Sequence, residues 1–187
     1  MIRAFLAIDL PESYRTGLAA VQDYLRKSGA DVRWTSVAGI HLTLKFFGNV
    51  PEAQVEAIAQ AAEPLAAAQA PFTLQITGAG AFPSLKNPRV VWLGLNGDLT
   101  PLAALHRGLD AAFAPLGFPP EGRPFAPHLT LGRVKSPQGR ERLTACLTQI
   151  TEPEAAPFQV NEIILYRSNL SPQGATYLPL KVMPLGG

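Results

Sequence analysis

Two of the three histidines in this chain stand in the same four-letter frame. "GIHLTLKFFG" carries His41 and Thr43, and "PHLTLGRV" carries His128 and Thr130. By composition, the odds of such a histidine-anchored repeat arising by chance are on the order of one in a thousand. A single His-Leu-Thr-Leu would be an ordinary β-forming run. A pair of them asks for a chemical reason.

Side chains alternate along a strand. His41 and Thr43 therefore share one face and Leu42 and Leu44 the other, and the second copy divides the same way. Each copy can bury two leucines while offering an imidazole and a hydroxyl about 6.6 Å apart. Two such copies suit an in-line displacement at phosphorus. One neutral imidazole accepts a proton from the nucleophile, and one imidazolium gives a proton to the leaving oxygen. Imidazole titrates near neutrality, so both forms are accessible. The threonine hydroxyls can donate to the non-bridging phosphate oxygens, where negative charge must be held. No metal is needed for any of these tasks.

The elements that must position these groups are legible around them. "IRAFLAI" (2–8) reads as a buried strand and "PESYRTGLAAVQDYLRKSG" as a helix, with Leu18, Val21 and Leu25 at helical spacing. "VRW" is a short extended piece and "HLTLKFFG" a strand. "PEAQVEAIAQAAEPLAAA" is a second helix, "FTLQIT" and "RVVWLGL" are strands, and "TPLAALHRGLDAAFAPLG" is a third helix closed by Gly117. "PHLTLGRV" is a strand, followed by a short helix around 138–150. "FQVNEIILYRSNL" and "TYLPLKV" form a last strand pair around the turn "SPQG". Helices interspersed with hairpin-paired strands indicate an α+β fold of antiparallel sheets backed by helices.

At 187 residues, with 47% hydrophobic and 16% charged residues, the chain is globular and long enough for one substantial core. A net charge of +2 excludes broad coating of nucleic acid but permits a local basic groove. The lone Cys146 excludes an internal disulfide and a multi-cysteine metal site. No signal peptide or membrane-length apolar run is present, so the reading is a cytoplasmic protein with no membrane partner.

With both motifs in view, the sequence resembles the 2H phosphoesterase superfamily, whose signature is two His-x-Thr-x motifs. Within it the chain resembles the RNA 2',3'-cyclic phosphodiesterases, also described as 2'-5' RNA ligase-like. The resemblance spans "RAFLAIDLP", "RWTSVAGIHLTLKFFGNV", "HLTLGRVK" and "LYRSNLSPQGATYLPL". It implies one bilobal phosphoesterase domain over residues 1–187. Two antiparallel sheets face a central cleft, helices pack outside, and motifs 41–44 and 128–131 occupy one lobe each. It also implies hydrolysis of RNA 2',3'-cyclic phosphate ends to 2'-phosphates, with His41 and His128 as the acid–base pair and Thr43 and Thr130 as phosphate-oxygen donors. For a 2'-phosphate product the 3' oxygen leaves; the reading takes His41 as its acid and His128 as the base on water, an order the sequence leaves open.

Other residues are candidates beside these four. Alternation puts Lys45 and Phe47 on the catalytic face, the first to attract phosphate and the second to line the substrate. Arg133 holds the family position after "HLTLG" and suits a phosphate clamp. Strict alternation puts it on the leucine face, so it reaches the site only if the strand bulges, for which Gly132 is suited. Trp34, Phe125 and Ser168 are candidate substrate-lining residues; core packing competes for Trp34 and Phe47, and a structural loop role for Phe125. His106, beside an apolar helical stripe, reads as a boundary residue. The expected partners are RNA 3' ends or small cyclic-phosphate nucleotides, and the expected state is a monomer without cofactor or metal. Ligation on the same site and non-catalytic RNA-end binding remain alternatives. A zinc hydrolase is disfavoured because no three-ligand pattern exists.

Overall fold

The computed structural model describes residues 1–150 and 156–186. Its strands follow from the apolar runs of the sequence. They are β1 (Ile2–Asp9), β2 (Val32–Trp34), β3 (His41–Val50), β4 (Phe72–Pro83), β5 (Pro88–Gly97), β6 (His128–Val134), β7 (Phe158–Val160), β8 (Glu162–Ser171) and β9 (Gly174–Pro184). The helices are α1 (Arg15–Arg26), α2 (Glu52–Ala68), α3 (Leu99–Phe113) and α4 (Arg140–Gln149). The fold is α+β with antiparallel strand pairing, as expected.

The strands form a nine-stranded sheet in the order β7-β4-β5-β6-β3-β1-β8-β9, with β2 pairing to β6. The two expected sheets are the halves of this one sheet. They join where Leu42 of β3 pairs with Leu129 of β6. Each half carries the same order of strand, helix, motif strand and helix: β1-α1-β3-α2 in one, β5-α3-β6-α4 in the other. The motif strands are thus structural counterparts as well as textual ones.

All four helices bury their apolar stripes against one face of the sheet. Leu18 and Leu25 of α1, Ile58 and Ala62 of α2, Leu102 and Leu109 of α3, and Leu143 and Leu147 of α4 meet Leu42, Leu44, Leu129 and Leu131 in a single core. The opposite, helix-free face carries a separate small cluster of Phe5, Ala7, Ile164 and Tyr166, with Tyr177 against it. The leucine–histidine alternation of the motifs is what separates these two environments.

Two segments depart from the sequence reading. "FQVNEIILYRSNL" is not one strand. Phe158–Val160 pairs with β4 in one half, and Glu162–Ser171 pairs with β1 and β9 in the other. The chain crosses between halves at Asn161, so this segment ties them together. The strand begun by "FTLQIT" runs on to Pro83 through "GAGAF", with a register shift between Ile76 and Ala79. Gly80 has to be small there, because an added Cβ would come within 2.3 Å of the Trp92 ring.

A buried ion pair connects β3 to the approach to the second motif. Lys45 Nζ donates to Asp110 Oδ1 of α3 at 2.8 Å and to the Pro119 carbonyl at 2.9 Å. Removing one partner of such a pair leaves a charge in the core. Lys45→Met is expected to lower unfolding stability by about 3 kcal/mol in urea denaturation. A loss under about 1 kcal/mol would show that the pair does not brace this loop.

Candidate active site

The Leu42–Leu129 pair sets the geometry of the site. In an antiparallel ladder, one step either side of that pair places His41 opposite Thr130 and Thr43 opposite His128. All four side chains are half-buried and flank fully buried leucines. The result is a square of two imidazoles and two hydroxyls, each imidazole facing a hydroxyl from the other motif.

Both imidazoles are held in the same way. His128 Nδ1 lies 2.7 Å from the carbonyl of Ala126, two residues back. His41 hydrogen-bonds to the backbone of Gly39, also two residues back. A ring whose Nδ1–H donates to a carbonyl presents Nε2 as its working nitrogen. Aromatic contacts fix the planes. Phe5 stacks on His41 with centroids 4.8 Å apart, and Tyr177 meets it edge-on at 5.3 Å. Phe82 meets His128 edge-on at 4.9 Å. Gly39 allows Tyr177 its place, since a Cβ there would approach the Tyr177 ring to 2.9 Å.

Burial lowers the His41 pKa below that of a free imidazole, offset in part by the Gly39 hydrogen bond and by the charge of Asp9. Asp9 is the cross-strand partner of His41 on β1 and accepts a hydrogen bond from the Tyr166 hydroxyl. Burial first, then that bond and the Asp9 charge, raise the Tyr166 pKa and keep the hydroxyl a donor.

Beyond the square, both motif strands bulge at the same place. The β1–β3 register shifts so that Thr43 pairs with Ala7 but Lys45 with Leu6, which leaves Leu44 as the extra residue. The β5–β6 register shifts so that Thr130 pairs with Trp92 but Gly132 with Val91, which leaves Leu131 extra. A bulge reverses the alternation beyond it. Gln22 of α1 braces the second bulge: its side chain donates to the Leu131 carbonyl at 3.0 Å and to the Thr35 carbonyl at 2.7 Å.

The reversal redistributes the candidate residues. Lys45 does not face the motif side; it lies in the helix-side core, paired with Asp110. Phe47 is also in that core, edge-on to Phe113 and Phe118 at 4.9 and 5.0 Å, and not at the substrate face. Phe46, exposed and 5.7 Å from Phe5, faces the motif side in its place. Arg133 is turned by the Leu131 bulge to the motif face, where it is exposed. Trp34 pairs with Gly132 on the helix side, beneath Arg26 of α1, so it does not line the site. Phe125 stacks on His106 at 3.9 Å and packs against the core. Burial lowers the His106 pKa, with Asp110, Lys45 and Glu121 acting on it besides. Ser168 pairs with Arg3 at the far end of the motif face, in a shallow concavity with Met1, Asn49, Arg167 and Leu170.

Arg133 has an unusual neighbour. In the β2–β6 register Arg33 stands directly opposite it, and both are exposed. Like charges in cross-strand register repel. Neither arginine, nor Arg3, makes an ion pair among the described residues. Arg133 and Arg3 both act on Tyr177, partly offsetting the rise that burial imposes on its pKa. A shared anion would relieve the Arg33–Arg133 repulsion. Sequence reasoning missed Arg33, Phe46, Asp9 and the aromatic props Phe5, Phe82 and Tyr177, because each is defined by cross-strand register and not by spacing along the chain.

Among the described residues, no group of three His, Cys, Asp or Glu converges as a metal site. No described helix is long and apolar enough to cross a membrane.

Comparisons with known proteins identify the family and the fold. The family model described as the 2'-5' RNA ligase superfamily matches residues 17–171. A protein of Methanothermobacter thermautotrophicus named RNA 2',3'-cyclic phosphodiesterase is 39% identical over 184 residues, covering 98% of this chain and 99% of its own. A protein of the same name from Methanocaldococcus jannaschii is 30% identical over 180 residues, covering 96% and 99%. The crystal structure of TT0787 of Thermus thermophilus superposes with a TM-score of 0.82 at 30% identity, covering 100% of this chain and 99% of that one. E. coli LigT complexed with 3'-AMP gives 0.79 at 30% identity, with the same coverage.

The electrostatics give a direct test. In an NMR pH titration, His41 is expected to titrate below the free-imidazole value of 6.5. Asp9→Asn removes a charge that favours imidazolium, so the midpoint should fall further. A midpoint that rises in the variant would contradict the assigned environment.

Proposed function

Because the chain belongs to the 2'-5' RNA ligase superfamily, we propose that it hydrolyses RNA 2',3'-cyclic phosphate ends to 2'-phosphates by a two-imidazole mechanism that uses no metal. The RNA 2',3'-cyclic phosphodiesterases at up to 39% identity over nearly the whole chain support the activity. The observation that supports the mechanism is the Leu42–Leu129 register, which sets His41 opposite Thr130 and Thr43 opposite His128.

In this reading the cyclic phosphate sits over the square. His128, neutral, takes a proton from water through Nε2 as the water oxygen attacks phosphorus. The P–O3' bond breaks on the opposite side, and His41 gives its proton to O3'. The negative charge on the non-bridging oxygens is met by the Thr43 and Thr130 hydroxyls and by the Arg133 guanidinium, with Arg33 beside it. One proton enters the protein and one leaves, so the pair ends with its protons exchanged. After product release His128 gives its proton to solvent and His41 takes one up, which restores the starting pair. Ligation by attack of a 5'-hydroxyl on the same phosphate would use the same roles, with the hydroxyl in place of water; cleavage of the 2'-5' linkage would run them in reverse.

The burial that lowers the His41 pKa makes its imidazolium a stronger acid but a scarcer one. Asp9 and the incoming phosphate anion act in the opposite direction and load the proton where it is spent. A group that must be protonated sets the alkaline limb of kcat/KM. Asp9→Asn lowers the pKa of His41, so the alkaline limb should move to lower pH. Movement of the acid limb instead would reassign His41 as the base.

The assay that tests the whole reading uses an oligoribonucleotide ending in a 2',3'-cyclic phosphate, with excess chelator. The expected product is the 2'-phosphate, and chelator is expected to leave the rate unchanged. His41→Ala and His128→Ala should each lose at least about a hundredfold in kcat. Wild-type turnover in either variant would remove that histidine from the mechanism, and binding without turnover by the intact protein would favour an RNA-end binder.

A further inference from the structure

We infer that Arg33 holds the phosphodiester on the 5' side of the terminal nucleoside, so that the site is built for the end of an RNA chain and not for a free mononucleotide. The inference rests on the phosphodiesterase reading above and adds how much of the chain the site takes.

The two motif strands part just beyond the square. β3 meets β6 at Leu42 and Leu129. From Leu131 onward β6 pairs with the segment that precedes β3. The Thr35 N–H donates to the Leu131 carbonyl at 2.9 Å, and Trp34, Arg33 and Val32 stand opposite Gly132, Arg133 and Val134. Val32 and Trp34 pack against the helix-side core, so Arg33 between them points to the motif face. The ladder between the motifs thus gains a third rung on that face. Thr43 faces His128, His41 faces Thr130, and Arg33 faces Arg133.

This rung carries an excess of charge. Two guanidinium groups in cross-strand register repel, and both are exposed. Asp31, two residues from Arg33, makes no ion pair with it. The cation that follows the other bulge, Lys45, is by contrast neutralised by Asp110. Anions would relieve the arginine rung, and the substrate carries them at successive linkages. Tyr177 packs edge-on to His41 and responds to the charge of Arg133, so Arg133 is the member of the rung that serves the reacting phosphate. Thr130 and Arg133 are three residues apart, about 10 Å of strand at most, which leaves Arg33 within reach of the next linkage. Its planar fork suits two oxygens of a phosphodiester. Arg3 does not compete for that linkage. It lies six residues along β1 from Asp9, the partner of His41, or about 20 Å away.

The test compares three substrates. They are a nucleoside 2',3'-cyclic phosphate, a dinucleotide with the same end, and that dinucleotide with an uncharged methylphosphonate at its internal linkage. The wild type is expected to favour the natural dinucleotide over both others in kcat/KM. Arg33→Ala should cut that advantage about tenfold, through KM, because an exposed charge-assisted contact is lost. Arg33→Lys should keep part of it. On the natural dinucleotide, kcat/KM of Arg33→Ala should also fall less steeply with salt, by about 0.7 in the logarithmic slope. Thermal melting checks that the variants fold. An unchanged advantage in Arg33→Ala, an equal loss on all three substrates, or equal wild-type rates on all three would each overturn the second phosphate site while leaving the phosphodiesterase intact. Wild-type failure on all three would overturn the reading beneath it.

Discussion

The backbone pair between Leu42 and Leu129 is the constraint from which the site follows. On one side β3 runs with β1, and on the other β6 runs with β5 and β2. The two halves of the sheet meet at this pair, and both leucines are essentially unexposed in the shared core. Their burial sets which face each motif presents. Because a strand alternates with period two, a slip of one residue would put both histidines in the core and the leucines in water. The apolar core therefore enforces the register that aligns the polar square. Stability and chemistry are two faces of the same four-residue pattern.

The bulges at Leu44 and Leu131 are the second determinant. They are the same device at counterpart positions, and their consequences differ only because the following residues differ. In β3 the bulge sends Lys45 inward, where it pairs with Asp110 and holds the Pro119 carbonyl. In β6 it sends Arg133 outward, into register with Arg33. One cation becomes a brace for the loop leading to His128; the other becomes free to meet an anion. Gln22 secures the second bulge from the helix side through the Leu131 carbonyl. A buried amide with two satisfied hydrogen bonds in an otherwise apolar helix stripe is costly to misplace. The orientation of Arg133 is thus linked to the packing of α1.

Much of this was legible in the chain. The repeated His-Leu-Thr-Leu, the four helices, the α+β class and the division of each motif into two faces follow from alternation and apolar period. Arg133 was legible conditionally, since Gly132 marks a place where a strand can bulge. The faces of Lys45 and Phe47 were misread, and Phe46 was missed, for a physical reason. The first bulge has no glycine to announce it, so strict alternation carried the parity wrongly beyond Thr43. Trp34 and Phe125 were left between lining and structural roles because a large aromatic near a motif can face either side. Only their contacts with Arg26 and His106 decide the matter. The like-charge pair of Arg33 and Arg133 was invisible because cross-strand register joins residues far apart in sequence.

The central claim is that the two motifs converge on one phosphate. The most direct measurement is a crystal structure of the protein with a non-hydrolysable analogue of a nucleoside 2',3'-cyclic phosphate. The account predicts the phosphorus between the two Nε2 atoms, with the Thr43 and Thr130 hydroxyls and the Arg133 guanidinium on its non-bridging oxygens. A phosphate bound instead in the concavity of Arg3, Arg167 and Ser168, away from both imidazoles, would contradict it.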